Sequence, residues 1–109
     1  MMADGETLRR RIVDKTAQLV VIGLGYVGLP VAARFAEVGF AVTGLDVNAD
    51  KVAQVNAGAC PIEGREPGLA ALVAAVVEAG QLRATTDYAV CRMADVVLIA
   101  VETPIDSDH

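Results

Sequence analysis

The chain has 109 residues, the size of one domain, and 54% are hydrophobic while only 4% are aromatic. A domain this small buries about two-thirds of its extended-chain surface, so its core of Ala, Val and Leu has to be compact, which argues against disorder. The formal net charge of −5 gives no electrostatic footprint for nucleic acid.

In chain order, residues 1–5 are expected to fray, and Thr7 to Lys15 to form a short amphipathic helix that buries Leu8, Ile12 and Val13. Its basic cluster Arg9, Arg10 and Arg11 is flanked by Glu6 and Asp14, the pattern of a solvated helical face. Leu19-Val20-Val21-Ile22 is β-branched, uncharged and stopped by glycine, as in a buried parallel strand. A helix follows to about Val38, with Val27, Val31, Phe35 and Val38 at helical spacing and Gly39 as its stop.

Phe40 to Leu45 reads as the second strand. Asn48 is placed to cap a helix through Val52 and Val55 that closes at Gly58. Cys60 to Gly68 is a loop by its Pro and Gly content. Leu69, Leu72, Val73, Val76 and Val77 mark one face of a further helix, ended by Gly80. Leu82 to Thr85 is a short third strand, Asp87 to Arg92 a helical turn, and Asp95 to Val101 a fourth strand. Right-handed crossovers between such strands build a parallel sheet, here an α/β Rossmann-type sheet in the order 3-2-1-4 with helices on both faces.

Gly23-x-Gly25-x-x-Gly28 is weak as a string and strong in its place, directly after a buried strand and at the opening of a helix. Gly23 permits the tight turn, Gly25 lets backbone approach a pyrophosphate, and Gly28 lets the helix pack closely on the strand. The helix N-terminus then offers amides near Tyr26 and Val27, with a partial positive charge, to the phosphates. Asp46 follows Gly28 by 18 residues, at the carboxyl end of the second strand. A carboxylate there accepts from ribose hydroxyls and repels a 2′-phosphate, which favours NAD over NADP. The plainer alternative is that Asp46 only begins the turn before Asn48.

Open α/β sheets also bind ligands beside the switch between the first and fourth strands, where Val101, Glu102, Thr103 and Pro104 fall. The Thr103 hydroxyl can meet a cofactor there, but Thr-Pro is equally a common strand terminator. Cys60 and Cys91 form no CxxC pair, and with His109 they are too few for a zinc site, so two free thiols in a reducing cytosol are expected and no metal. No leader of secretory type is seen at the N-terminus. Gly23, Gly25, Gly28 and Pro30 break the uncharged run from Ala17 to Ala33, so it is not a membrane span.

Val21-Ile22-Gly23-Leu24-Gly25-Tyr26-Val27-Gly28-Leu29-Pro30 closely resembles the start of the UDP-glucose/GDP-mannose dehydrogenase family. So do Asp46 with Lys51, the loop with Pro61-Ile62 and Glu66-Pro67-Gly68-Leu69, and the strand end Val101-x-Thr103-Pro104, over about Ala17 to Ile105. The resemblance implies NAD as cofactor, with Tyr26 and Val27 at the pyrophosphate, Asp46 at the adenosine ribose, and Lys51 and Thr103 at further contacts. It implies a two-step oxidation of a sugar-nucleotide primary alcohol to a carboxylate, with two NAD and a cysteine thioester. It also implies a leader over residues 1–15, an NAD-binding domain over 16–109, and a catalytic lysine, nucleophilic cysteine and sugar-binding domain lying beyond.

Neither Cys60 nor Cys91 matches the nucleophile's motif, so no catalytic residue is expected in this chain, and this part alone is expected to be inactive. Glu102 departs from the Pro common in the family, but Val-Glu-Thr-Pro is similar to its acetamido-sugar branch. Leu8-Arg9-Arg10-Arg11-Ile12 with Thr16-Ala17 likewise resembles the UDP-N-acetylhexosamine dehydrogenases. A nucleotide-sensing regulatory domain of the potassium-channel type and the first domain of a 3-hydroxy acid dehydrogenase stay open as alternatives. The Glu-Pro-Gly-Leu loop and the Val-x-Thr-Pro end argue against the first. A cytoplasmic protein, associating as a homodimer or higher through an uncovered sheet edge, is expected.

Overall fold

The computed structural model describes residues 3–62 and 68–100. Helix α1 (Ala3–Asp14) leads into β1 (Gln18–Ile22), α2 (Gly28–Glu37), β2 (Ala41–Leu45) and α3 (Ala49–Asn56). Then come α4 (Leu69–Glu78), β3 (Leu82–Thr85), a 3-10 turn (Tyr88–Met93) and β4 (Val96–Ile99). The four strands pair in parallel in the order β3-β2-β1-β4, as the crossover argument requires. Val21 is paired with Gly44 on one side and Leu98 on the other, and Gly44 with Ala84 beyond, so these residues share one face of the sheet.

That face carries the core. Leu19, Val21, Val42, Leu82 and Ala84 meet α2, α3 and α4 through Leu29, Ala32, Val55, Leu69 and Val73. The opposite face is defined by strand alternation; the 3-10 turn meets it where Val90 and Met93 line a small hollow with Val20, Thr43 and Arg83. Asn48 caps α3, its side chain accepting from the Lys51 amide at 3.0 Å, as its position suggested. The last residue of α3, Asn56, both donates to the Ala84 carbonyl (2.9 Å) and accepts from the Ala84 amide (2.8 Å). This amide stands in for a neighbouring strand along the edge strand β3.

The helix expected from the spacing of Val27, Val31, Phe35 and Val38 is found, but these are not its buried side: Val27 is 56% and Val38 50% exposed. The buried side of α2 is Gly28, Leu29, Ala32, Ala33 and Ala36. Both stripes have helical spacing, and the close approach of helix to sheet selects the smaller residues. The N-terminal segment is a correction. It is helical from Ala3 instead of frayed, and Ile12 and Val13 are exposed, at 44% and 72%.

What holds α1 is polar. Arg11 Nη1 donates to Asp95 Oδ1 at 2.6 Å, and the Gln18 amide donates to Asp95 Oδ2 at 2.8 Å. The Thr16 and Ala17 amides turn back onto the Arg11 carbonyl. Arg11, itself exposed like Arg9 and Arg10, differs from the solvated-face reading in being paired with Asp95. One carboxylate thereby ties the end of α1, the start of β1 and the start of β4 together.

The Gln18 amide above all, with Arg11 adding to it, holds the Asp95 carboxyl below its ordinary value of 3.8, against a smaller opposing effect of partial desolvation. Because the folded state binds the deprotonated form more tightly, this contribution is complete above 3.8 and fades as the pH falls through the lowered value. Asp95→Asn is expected to unfold at a lower temperature than the native chain at neutral pH. The gap should close on acidification below 3.8, as read by circular dichroism melts across pH.

Candidate functional site

Between β1 and α2 the chain turns at Gly23, whose φ of +97° lies in the left-handed region that favours glycine. Its amide still donates to the Leu45 carbonyl at 2.8 Å, so the turn begins hydrogen-bonded to the end of β2. The helical bonding of α2 starts with the Leu29 amide on the Gly25 carbonyl at 3.1 Å. The Val27 and Gly28 amides precede that first bond and belong to the helix's N-terminal set. Tyr26 and Val27 are exposed at this end, 47% and 56%.

Pro30 is accommodated in the first turn of α2. It is the third residue of α2, and the bonds Leu29 to Gly25 and Val31 to Val27 run on either side of it. A proline this early removes one rung without breaking the helix.

Gly28 is held by contact. A Cβ on it would fall inside the Gly23 carbonyl oxygen and meet the Ala100 Cβ at 3.3 Å. Strand end, loop and helix therefore approach one another more closely than any side chain permits, as anticipated for the last glycine. Gly25 does not adopt a positive φ.

Asp46 stands at the tip of β2 with its side chain turned toward this loop, 12% exposed. Its Oδ2 accepts from the Leu24 amide at 2.8 Å, and its Oδ1 from the Asn48 amide at 2.9 Å. The ammonium of Lys51, from the first turn of α3, lies 4.0 Å from Oδ2. The turn reading of Asp46 is present, since Oδ1 shapes the turn before Asn48, and Oδ2 in addition reaches the glycine loop. Each oxygen keeps a further lone pair, and a carboxylate accepts up to about four bonds in all.

This arrangement fits a dinucleotide: amides and a helix N-terminus for a diphosphate, and beside them a carboxylate with acceptor capacity for a ribose. The structure brings together Gly23, Gly25, Tyr26, Val27, Gly28, Asp46 and Lys51. Val101 and Thr103, the other expected cofactor contacts, lie outside the described residues, as do Glu102 and Pro104. Leu24 and Gly44 were not singled out from sequence. Leu24 was read only as the variable residue between two glycines, and yet it is fully buried and supplies the amide that Asp46 holds.

Residues 17–109 match the UDP-glucose/GDP-mannose dehydrogenase family, NAD binding domain. The chain belongs to that family. The match covers its NAD-binding domain, so NAD is the cofactor, and the regulatory and 3-hydroxy acid alternatives fall away. The chain is 49% identical over 89 residues to a UDP-N-acetyl-D-mannosamine dehydrogenase of Yersinia pestis, covering 82% of this chain and 20% of that protein. It is 45% identical over 91 residues to a UDP-glucose 6-dehydrogenase of Haloferax volcanii, covering 84% of this chain and 20% of that one.

Among solved structures, GDP-mannose dehydrogenase from Pseudomonas aeruginosa superposes with a TM-score of 0.76 at 37% identity, over 83% of this chain and 20% of that one. NDP-N-acetyl-D-galactosaminuronic acid dehydrogenase from Methanosarcina mazei gives 0.78 at 33% identity, over 91% and 22%. The chain spans about a fifth of the length of the curated relatives it matches.

Cys60 and Cys91 are both free and half-buried, and the Cys60 thiol donates to the Ile62 carbonyl at 3.6 Å. Among the described residues no group of three metal-ligating side chains occurs, and no helix is long and apolar enough to cross a membrane.

In an open helix, alanine for glycine stabilises by about 1 kcal/mol. At position 28 the added methyl meets backbone, and such overpacking costs about 1–3 kcal/mol or more. Gly28→Ala is therefore expected to lower the melting temperature by about 4 °C or more in a thermal unfolding scan. An unchanged or raised value would mean that α2 does not sit this close to Gly23.

Proposed function

We propose that this chain is the cofactor-binding portion of a dehydrogenase that oxidises the C6 primary alcohol of a UDP-sugar to the carboxylate, with two NAD. UDP-N-acetylhexosamine is the favoured substrate and UDP-glucose the other. The single observation that carries the reading is the Asp46 carboxylate, aimed at the glycine loop with acceptor capacity to spare. The acetamido-sugar preference is supported by the leader Leu8 to Ile12, by Val-Glu-Thr-Pro, and by likeness to UDP-N-acetyl-D-mannosamine dehydrogenases.

Bound NAD supplies the hydride acceptor. The residues of this chain bind and orient it. Gly25 leaves room for the diphosphate, and the Tyr26, Val27 and Gly28 amides at the start of α2 donate to its oxygens, assisted by the helix dipole. Asp46 accepts from the adenosine ribose hydroxyls and sets the sugar against the tip of β2. Lys51 holds the carboxylate in place and adds a donor on the ribose side, and the family resemblance assigns Val101 and Thr103 to further cofactor contacts. None of these groups carries the redox step, so residues 16–109 act as the cofactor domain behind a leader of about 15 residues. This part is inactive by itself.

Association as a homodimer or higher is part of the same proposal. Ile99 is 72% exposed, and β4 has no strand on its outer side among the described residues. A sharp monomer peak on sizing at high concentration would count against it.

A 2′-phosphate brought beside Asp46 meets a like charge, worth about 4 kcal/mol at 4 Å in a surface-like dielectric and reduced by the nearby Lys51. Calorimetric titration is expected to show NAD binding weakly and NADP at least about tenfold more weakly, a difference of about 1.4 kcal/mol. Asp46→Ala should weaken NAD and narrow the ratio. Equal affinity of the native chain for both dinucleotides would remove the role given to Asp46.

A further inference from the structure

Hydrogen bonds, including the one to the Asp46 carboxylate, are not all that holds the glycine loop. A side chain holds it as well. Leu24 lies between two glycines of a loop, and yet it is 0% exposed and part of the main core. It sits over Gly44 of β2, between the positions of Val21 and Ala84 on the helix-bearing face. A Cβ at position 44 would stand 2.6 Å from Leu24 Cδ2, 2.9 Å from Cδ1 and 3.2 Å from Cγ. All three branch atoms crowd the same point, and with no solvent to swing into, the side chain cannot yield by turning one methyl. The residue has to lift as a whole.

Lifting Leu24 moves its amide, which is the one that Asp46 Oδ2 accepts at 2.8 Å. Gly44 and Asp46 are two residues apart on the same strand, so β2 offers a socket for the Leu24 side chain and, just beyond it, an acceptor for the Leu24 N–H. We propose that Gly44 and Leu24 are positioning residues for the cofactor: the missing Cβ at 44 seats the Leu24 side chain and so sets the height of the glycine loop and the direction of the Asp46 carboxylate. Gly44 lies outside the glycine pattern, in the middle of the sheet between Val21 and Ala84. It acts through Leu24. The inference rests on the NAD-binding reading, but the socket itself exists in the free chain and is tested there too.

The experiment uses the full chain and three variants: Gly44→Ala, Leu24→Val, and the double variant that adds the methyl and trims the side chain that met it. Two readouts are taken: hydrogen exchange of the Leu24 amide without cofactor, and calorimetric titration with NAD. Gly44→Ala is expected to speed exchange of the Leu24 amide at least tenfold while amides in the middle of β1 keep their protection, and to weaken NAD at least tenfold. The double variant should regain most of both, which a general loss of stability would not produce.

If Gly44→Ala does not fold, the double variant decides. A folded, NAD-binding double variant supports the socket, and an unfolded one overturns it. Native-like Leu24 exchange and NAD affinity in a folded Gly44→Ala overturn it as well, as does a double variant no better than the single one. Should the native chain fail to bind NAD, the dinucleotide reading fails. The exchange data would still decide whether Gly44 seats Leu24.

Discussion

A single carboxylate at the tip of β2 joins the glycine loop, 22 residues earlier in the chain, to the start of α3. Asp46 accepts the Leu24 amide from the β1–α2 loop and the Asn48 amide from the approach to α3, with Lys51 balancing its charge. Hydrogen bonds to a charged acceptor contribute about 1.5–3 kcal/mol each, and a mostly buried carboxylate without them would be costly. The loop is thereby shaped before any ligand arrives. A dinucleotide that binds it need not supply the free energy to order it, which is the physical content of preorganisation.

Close approach is the second constraint, and it depends on what is missing from side chains. α2 rests on the sheet through Gly28, Leu29, Ala32, Ala33 and Ala36. Apart from Leu29 its larger apolar residues are turned outward, where Pro30, Val31, Phe35 and Val38 border a shallow apolar hollow and Phe35 meets Phe40 edge-on at 5.9 Å. A helix resting on Val and Phe would stand farther from β1, and its first-turn amides would leave the loop. The same reasoning holds on β2, where Gly44 makes room for Leu24.

These constraints explain what could be read from the residues. The strand order, the turn at Gly23, the tight packing of Gly28 and the orientation of Asp46 follow from spacing and steric need, and each is found. Asn48 was legible as a cap because its chemistry is local. Spacing alone does not tell which face of α2 is buried, because both stripes have helical period and closeness to the sheet decides between them. The leader was misread because its attachment is an ion pair from Arg11 to Asp95, 84 residues away, and no periodicity records such a pairing. Leu24 and Gly44 were invisible on the same ground, since each looks ordinary until β2 is laid beside β1.

The most direct test of this account is an amide-resolved NMR titration of the chain with NAD. The largest shifts are expected at Leu24 to Gly28 and at Asp46 to Lys51, with the Leu24 amide remaining bonded to its carboxylate throughout. Saturable shifts confined to the outer side of α2 or to the hollow beside Val90, with Leu24 and Asp46 unmoved, would contradict it.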